Sequence, residues 1–205
     1  MTTNTTLLVT LAQPNPDEVE TFHGYVGAST ELALEAGGVV SSRFGVEHIE
    51  GDAPAVVFGL ATFPSEEAIT TMFDAPSYQE LIPARDKSID CVNAYIVDAT
   101  PITDLADPDG VYLITVAAPD PEHMEDLGAY QKVAGPMSAK HGAIPVTNLP
   151  ITGHPVGNTP AAFIGIARFP SGDAVRDFLN DPEYTPIIPT RDRALRSLNL
   201  YVTKA

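Results

Sequence analysis

Several side chains in this sequence recur at spacings that suit the binding or turnover of a small organic molecule. Arg85-Asp86 returns as Arg191-Asp192, and a tyrosine, Tyr78 or Tyr184, stands seven residues before each arginine. A guanidinium is a planar fork of five donors that can clamp a carboxylate or an enolate oxygen. The adjacent acid can equally hold it in a structural ion pair, and a buried tyrosine can simply be core. Asn93 and Tyr95 alternate with Val92, Ala94 and Ile96, as Asn199 and Tyr201 do with Leu198, Leu200 and Val202. Alternation puts each Asn/Tyr pair on one face of a strand. There the pair could orient a carbonyl or a phenolate, or make structural hydrogen bonds.

Other candidates occur once. His141 stands beside Gly142 at the end of an apolar-periodic run. A histidine exchanges protons near neutrality and could serve as a general base; at a helix C-terminus it could instead answer the dipole. Arg168 replaces Thr62, and Arg43 is matched by Asn148, so each is a candidate anion binder or a rim residue. Tyr130, matched by Tyr25, completes the set. The histidines, His23 and His48 in one half and His123, His141 and His154 in the other, fall at positions read as non-equivalent.

Some chemistries find no support. No His-x-x-x-His or Glu-x-x-His pattern shares a helix face, so no metal is expected. The glycine-rich stretches lack the spacing and lysine of a phosphate loop, and there is no nucleophile elbow. No cofactor is expected. Cys91 has no second cysteine to pair with and aligns with Ser197, which reads as a small core residue.

The elements that position these residues come from a duplication. Gly59-Leu-Ala-Thr-Phe-Pro-Ser65 recurs as Gly165-Ile-Ala-Arg-Phe-Pro-Ser171, an offset of 106, which carries on through Tyr78/Tyr184, Arg85/Arg191 and Tyr95/Tyr201. The front halves align at 105, through Thr10/Thr115, Pro14/Pro119 and Gly37/Gly142, which places a one-residue insertion between about 48 and 54. Each copy reads as strand, helix, strand, strand, helix, strand. Gly37 and Gly142 suit left-handed caps, Ser65 and Ser171 suit N-caps, and Pro136 is expected to kink the first helix of the second copy. The predicted organisation is a ferredoxin-like unit at 1–98, a Pro/Asp-rich linker at 99–109 and a second unit at 110–205. Each α+β unit leaves one sheet face open, and two tandem βαββαβ units can close on each other as an intramolecular pseudo-dimeric barrel.

The Phe-Pro-Ser helix start, the proline and tyrosine that follow, the later arginine, and a tyrosine-bearing helix ending in His-Gly or Gly-Gly resemble small bacterial proteins of the dimeric α+β barrel superfamily. The resemblance spans both copies. Its relatives include cofactor-independent antibiotic-biosynthesis monooxygenases, EthD-like proteins and muconolactone isomerases. It implies a small-molecule cavity between helices and sheet in each unit. On that footing an enzyme, if this is one, would abstract a proton from an aromatic or polyketide-like carbonyl or enol compound, giving isomerisation or cofactor-independent monooxygenation. His141 would be the base, Arg168 or Arg191 would stabilise the enolate, and Tyr130, Tyr184, Asn199 and Tyr201 would orient the ligand, with Arg43, Tyr78, Arg85, Asn93 and Tyr95 in the first unit. The alternative is a non-catalytic binding or sequestering module.

Charge bears on partners. The 27 acids and 11 bases give a net charge of −16, which disfavours a nucleic acid. No run of about 18 apolar residues suggests a membrane span, and a cytoplasmic location is expected. Residues 1–103 carry 15 acids and 3 bases, and residues 104–205 carry 12 acids and 8 bases. The second half is therefore expected to suit an anionic ligand better. Either a monomeric pseudo-dimer or a homodimer is compatible with the duplication.

Overall fold

A computed structural model describes residues 5–99 and 110–203. Apart from Ala99, the expected linker lies outside the described residues. The first copy comprises β1 (Thr5–Pro14), α1 (Val19–Glu35), β2 (Val39–Glu50), β3 (Val57–Phe63), three helical segments α2 (Glu66–Asp74), α3 (Pro76–Gln79) and α4 (Ile82–Ser88), and β4 (Ile89–Ala99). The second comprises β5 (Val111–Pro119), α5 (Met124–Lys140), β6 (Ile144–Val156), β7 (Phe163–Phe169), α6 (Gly172–Leu179), α7 (Ile188–Ala194) and β8 (Leu195–Thr203). The chain is thus α+β with ferredoxin-like order in both copies. The strand pairings of β1 with β3 and β4, β2 with β3, β4 with β6, β5 with β7 and β8, and β6 with β7 are antiparallel, and the hydrogen-bonded order β1-β3-β2-β8-β5-β7-β6-β4 closes as a barrel.

Local sequence sets the boundaries. The Ser65 and Ser171 hydroxyls accept from the Ala68 and Ala174 N–H groups, starting α2 and α6. Gly37 and Gly142 end the long helices at φ of +79° and +81°, a region that an L side chain rarely adopts. Pro136, where a kink is expected, lies inside α5. Proline removes one N–H near the end of α5, and the helix still runs for 17 residues, the same length as α1.

The long strands β2 and β6 each contribute to both compact units. One compact unit holds Met1–Val46, Ala53–Ile102 and Ile151–Asn158; the other holds Glu47–Asp52, Thr103–Pro150 and Thr159–Ala205. Each copy therefore gives the tail of its second strand to the other copy's unit. In the first unit Val97 pairs with Ile151, Ile96 with Gly153 and Ala94 with Val156.

That exchange relocates the insertion. Arg43 pairs with Gly59 as Asn148 pairs with Gly165, so the 105 offset holds there. A Cβ on Gly51 would strike Asn199 Oδ1 and Leu198 O, and one on Gly157 would strike Asn93 Oδ1 and Val92 O, so the 106 offset holds by then. His48 packs at a tilt against Tyr201 with ring centroids 5.4 Å apart, and His154 stacks on Tyr95 at 4.6 Å. These two histidines are therefore equivalent, contrary to the sequence reading. The extra residue lies before His154, where register shifts interrupt the pairing of β6 with β4.

Each unit packs its helices on one sheet face. Leu8, Phe63, Ile69, Met72, Ala94 and Ile96 anchor the first core. Val111, Met137, Phe169, Val175, Phe178 and Tyr184 are among those anchoring the second. Burial of each large apolar side chain contributes about 1.5–3 kcal/mol, which makes these layers a firm support for whatever lies between them.

Candidate functional site

A cavity lies between the long helix and the sheet in each unit. The first, of about 360 Å³, is lined mainly by apolar residues of β1, α1 and β3, including Leu8, Phe22, Val26, Leu60 and Met72, with the Tyr25 and Tyr78 phenols in the wall. The second, of about 260 Å³, is lined by Leu127, Phe178, Leu198 and others, with Tyr130, Tyr184 and Arg191. Helical spacing on α1 and α5 turns Tyr25 and Tyr130 toward the sheet, and α3 or the turn after α6 brings up the second phenol.

The two phenols meet. Tyr25 Oη lies 3.0 Å from Tyr78 Oη, and Tyr130 Oη lies 2.9 Å from Tyr184 Oη. Arg191 Nη1 donates to Tyr184 Oη at 3.3 Å, and the Arg85 guanidinium interacts with Tyr78 in the same sense. A phenol oxygen that accepts from an arginine is best satisfied by donating its own proton onward. That leaves the Tyr25 or Tyr130 proton to serve the cavity. Burial, and then the neighbouring phenol, hold both Tyr25 and Tyr130 well above the ordinary tyrosine range, so each remains a neutral donor.

At the arginines the units part company. Arg191 presents its Nε and Nη2 to Asp192 Oδ1, both at 2.9 Å, and its outer edge to Glu50, Nη1 to Oε2 at 2.9 Å and Nη2 to Oε1 at 2.5 Å. Arg85 makes the equivalent bonds to Asp86, at 2.9 Å and 2.8 Å. No second carboxylate pairs with it among the described residues. The Arg85 side chain is 16% exposed, against 3% for Arg191.

Residues 10–100 and 110–204 each match the family described as a domain of unknown function, DUF1330. The chain belongs to the DUF1330 family. Comparison of this DUF1330 chain with curated proteins gave no match. Among solved structures it resembles an anthrone oxidase-like protein at 13% identity and TM-score 0.60, over 99% of this chain and 92% of that one. A mutant chlorite dismutase from Candidatus Nitrospira defluvii, in complex with cyanide, aligns at 9% identity and TM-score 0.51 over 100% and 92% of the two chains. A protein of unknown function from Rhodopseudomonas palustris aligns at 19% identity and TM-score 0.42, over 48% of this chain and 85% of its own. The chain shares the α+β barrel fold of the anthrone oxidase-like protein and the chlorite dismutase, here with two DUF1330 copies in one chain.

Within the DUF1330 chain, the residues singled out from sequence divide into those at a cavity and those elsewhere. Tyr78, Tyr130, Tyr184 and Arg191 line cavities, Arg43 sits at the first one, and Arg85 stands behind Tyr78. Asn93, Tyr95, Asn199 and Tyr201 are buried on the sheet face turned away from the helices, while their strand neighbours Val92, Leu198 and Leu200 line the cavities. His141 is not a cavity residue. It closes the end of α5, with Nε2 2.8 Å from Asp181 Oδ2, an oxygen that also accepts from Lys140 Nζ at 3.2 Å. Arg168 is exposed on β7 and lines neither cavity.

Sequence reasoning missed other members of the site. Tyr25 was visible as the partner of Tyr130, and the shared helical register was the signal for it. His23 lines the first cavity from α1. Glu50 carried no local signal, because its partner is 141 residues away. On the opposite face, the Nε2 atoms of His48 and His154 are buried without a hydrogen-bond partner. No group of three His, Cys, Asp or Glu is placed to hold a metal among the described residues. No described helix is long and apolar enough to cross a membrane.

Proposed function

We propose that this chain binds an aromatic or polyketide-like carbonyl or enol compound in the first-unit cavity, with the ligand oxygen accepting from the Tyr25 hydroxyl. The observation that carries this reading is a largely apolar cavity of about 360 Å³ with a hydrogen-bonded phenol pair in its wall. Its size falls in the usual range for small-molecule sites, roughly 300–1,000 Å³, which are apolar with a few polar groups fixing orientation. A neutral phenol backed by a second phenol and an arginine stabilises charge that develops on a carbonyl oxygen when a neighbouring proton leaves.

If the chain turns its ligand over, proton abstraction would lead to isomerisation or to cofactor-independent monooxygenation. His23 is the histidine in the first-cavity wall and the group there suited to accept a proton. His141, held by Asp181 at a helix end, is better placed to fasten that end. Simple binding is favoured by one feature: His23 is exposed, at a cavity whose wall holds no carboxylate. The anthrone oxidase-like neighbour suggests polycyclic ketones as first probes.

Titration calorimetry with a hydroxylated anthraquinone tests the reading. One site per chain is expected, weakened about 10-fold by Tyr25→Phe, in line with loss of one buried hydrogen bond. Undiminished binding to a Tyr25→Phe, Tyr78→Phe double variant would overturn it. Aerobic consumption of an anthrone that disappears in His23→Gln would select catalysis over binding.

A further inference from the structure

Helix α1 lines the first cavity along one stripe, Phe22, Tyr25, Val26, Ser29, Thr30 and Ala33, at the spacing of a single helix face. One turn beyond Tyr25, about 6 Å along the helix axis, stand two hydroxyls. Ser29 Oγ donates to Val26 O at 3.2 Å, and Thr30 Oγ1 donates to the same carbonyl at 2.7 Å. A hydroxyl carries one proton and two acceptor lone pairs. With both protons given to the helix backbone, these two oxygens can only accept from a ligand.

The second unit shows that the fold does not need them. At the 105 offset Ser29 and Thr30 answer to Ala134 and Gly135, which carry no hydroxyl and do not line the second cavity. Helix α5 is nonetheless as long as α1. Serine and threonine bonded back to a helix carbonyl weaken a helix slightly relative to alanine. Helix α1 therefore carries, on its cavity face, two groups that its own folding does not favour.

Along α1 the wall thus offers a donor, the Tyr25 hydroxyl, and then acceptors. A ligand lying against it needs an acceptor at Tyr25 and a donor one turn away, which a carbonyl and a ring hydroxyl supply. The hydroxyl must stand apart from the carbonyl, because one beside it closes its proton onto that oxygen and has none to give. We infer that the first-unit site takes a hydroxyaryl ketone or quinone whose free ring hydroxyl donates into the Ser29/Thr30 pair while its carbonyl accepts from Tyr25. This rests on the first cavity being a ligand site and narrows the ligand to a class.

Titration with 2-hydroxyanthraquinone, 1-hydroxyanthraquinone and anthraquinone, in mildly acidic buffer that keeps the phenols protonated, tests this on the intact chain. The 1-hydroxyl lies beside the carbonyl and is closed onto it, whereas the 2-hydroxyl is free. The wild type is expected to bind the 2-hydroxy compound about 10-fold more tightly than the other two, in line with one added buried hydrogen bond. Ser29→Ala combined with Thr30→Ala, substitutions that favour the helix, is expected to erase that advantage and leave anthraquinone affinity unchanged. Tyr25→Phe is expected to weaken all three. Equal affinity for the two hydroxy isomers, or an advantage that survives the double substitution, overturns the hydroxyl assignment and leaves the cavity reading standing. Failure of all three compounds to bind overturns the two together.

Discussion

Arg85 and Arg191 descend from one position in a duplicated unit, follow the same Tyr and Pro, and support the same phenol pair. What separates them is a residue far away in sequence: Glu50 faces Arg191, and Val156 holds the matching place in the first unit. One guanidinium is thereby held by two carboxylates and the other by one. The lesson is that the bases counted in one half are not the bases left free to meet a ligand. The arginines of the second half are largely answered by acids, Arg193 by Asp126 and Arg196 by Asp120 as well as Arg191 by Glu50. Neither cavity is lined by an acid, and Arg191 stands in the wall of the second.

The largest expected effect is on stability. Glu50→Ala strips the outer edge of a 97%-buried arginine, leaving Asp192 as its anion. A loss of about 2–3 kcal/mol is expected from chemical denaturation. A loss under about 0.5 kcal/mol would place Arg191 in both units' common, uncommitted state.

Tyr78→Phe and Tyr184→Phe each remove a buried hydroxyl from the phenol pair and should each cost about 1 kcal/mol of stability. Only Tyr78→Phe should also weaken ligand binding. Equal effects on binding would erase the distinction between the two cavities.

A third contrast is at the helix ends. His141 and Asp181 fasten the second unit, where the first has Ala36 and Ala75. The Glu183 N–H, and next the His141 side chain, hold the Asp181 carboxyl down at about 2. The unfolded value is about 3.9, above the folded one, so this carboxylate's contribution is complete above about pH 4 and is lost as the pH falls toward 2. Thermal melts should show a steeper acid decline for the wild type than for Asp181→Asn. The smallest effect belongs to Cys91, whose thiol burial pushes above its usual range. Alkylation should be slow, and Cys91→Ser, the residue of the second copy, should change stability by less than about 0.5 kcal/mol.

Much of this was legible in the sequence because it is local or repeated. The 106-residue echo around Phe63 and Phe169, the serine N-caps and the glycine caps dictate two copies of one order of elements, and the tyrosines and arginines travel with it. What escaped is long-range. Glu50 and His48 lie on a strand tail that serves the other copy's partners, which no local pattern announces. Setting the insertion after His48 concealed its equivalence to His154. His141 drew attention by residue type and by its place beside a glycine, while the partner that fixes its role, Asp181, is 40 residues on. Asn93 and Tyr95 share a face, as alternation requires, but periodicity alone cannot say which face meets the helices.

Two glycines allow the central claim, that the first cavity takes the ligand, to be tested directly. Gly59 and Gly165 line the first and second cavities at equivalent places. A Cβ at either would meet nothing nearer than 3.8 Å, so a larger side chain can enter each cavity from the sheet. Calorimetric titration of a hydroxylated anthraquinone into Gly59→Leu and Gly165→Leu, both verified as folded, should give no binding to the first and one wild-type site in the second. Binding that survives Gly59→Leu and disappears in Gly165→Leu would contradict the account.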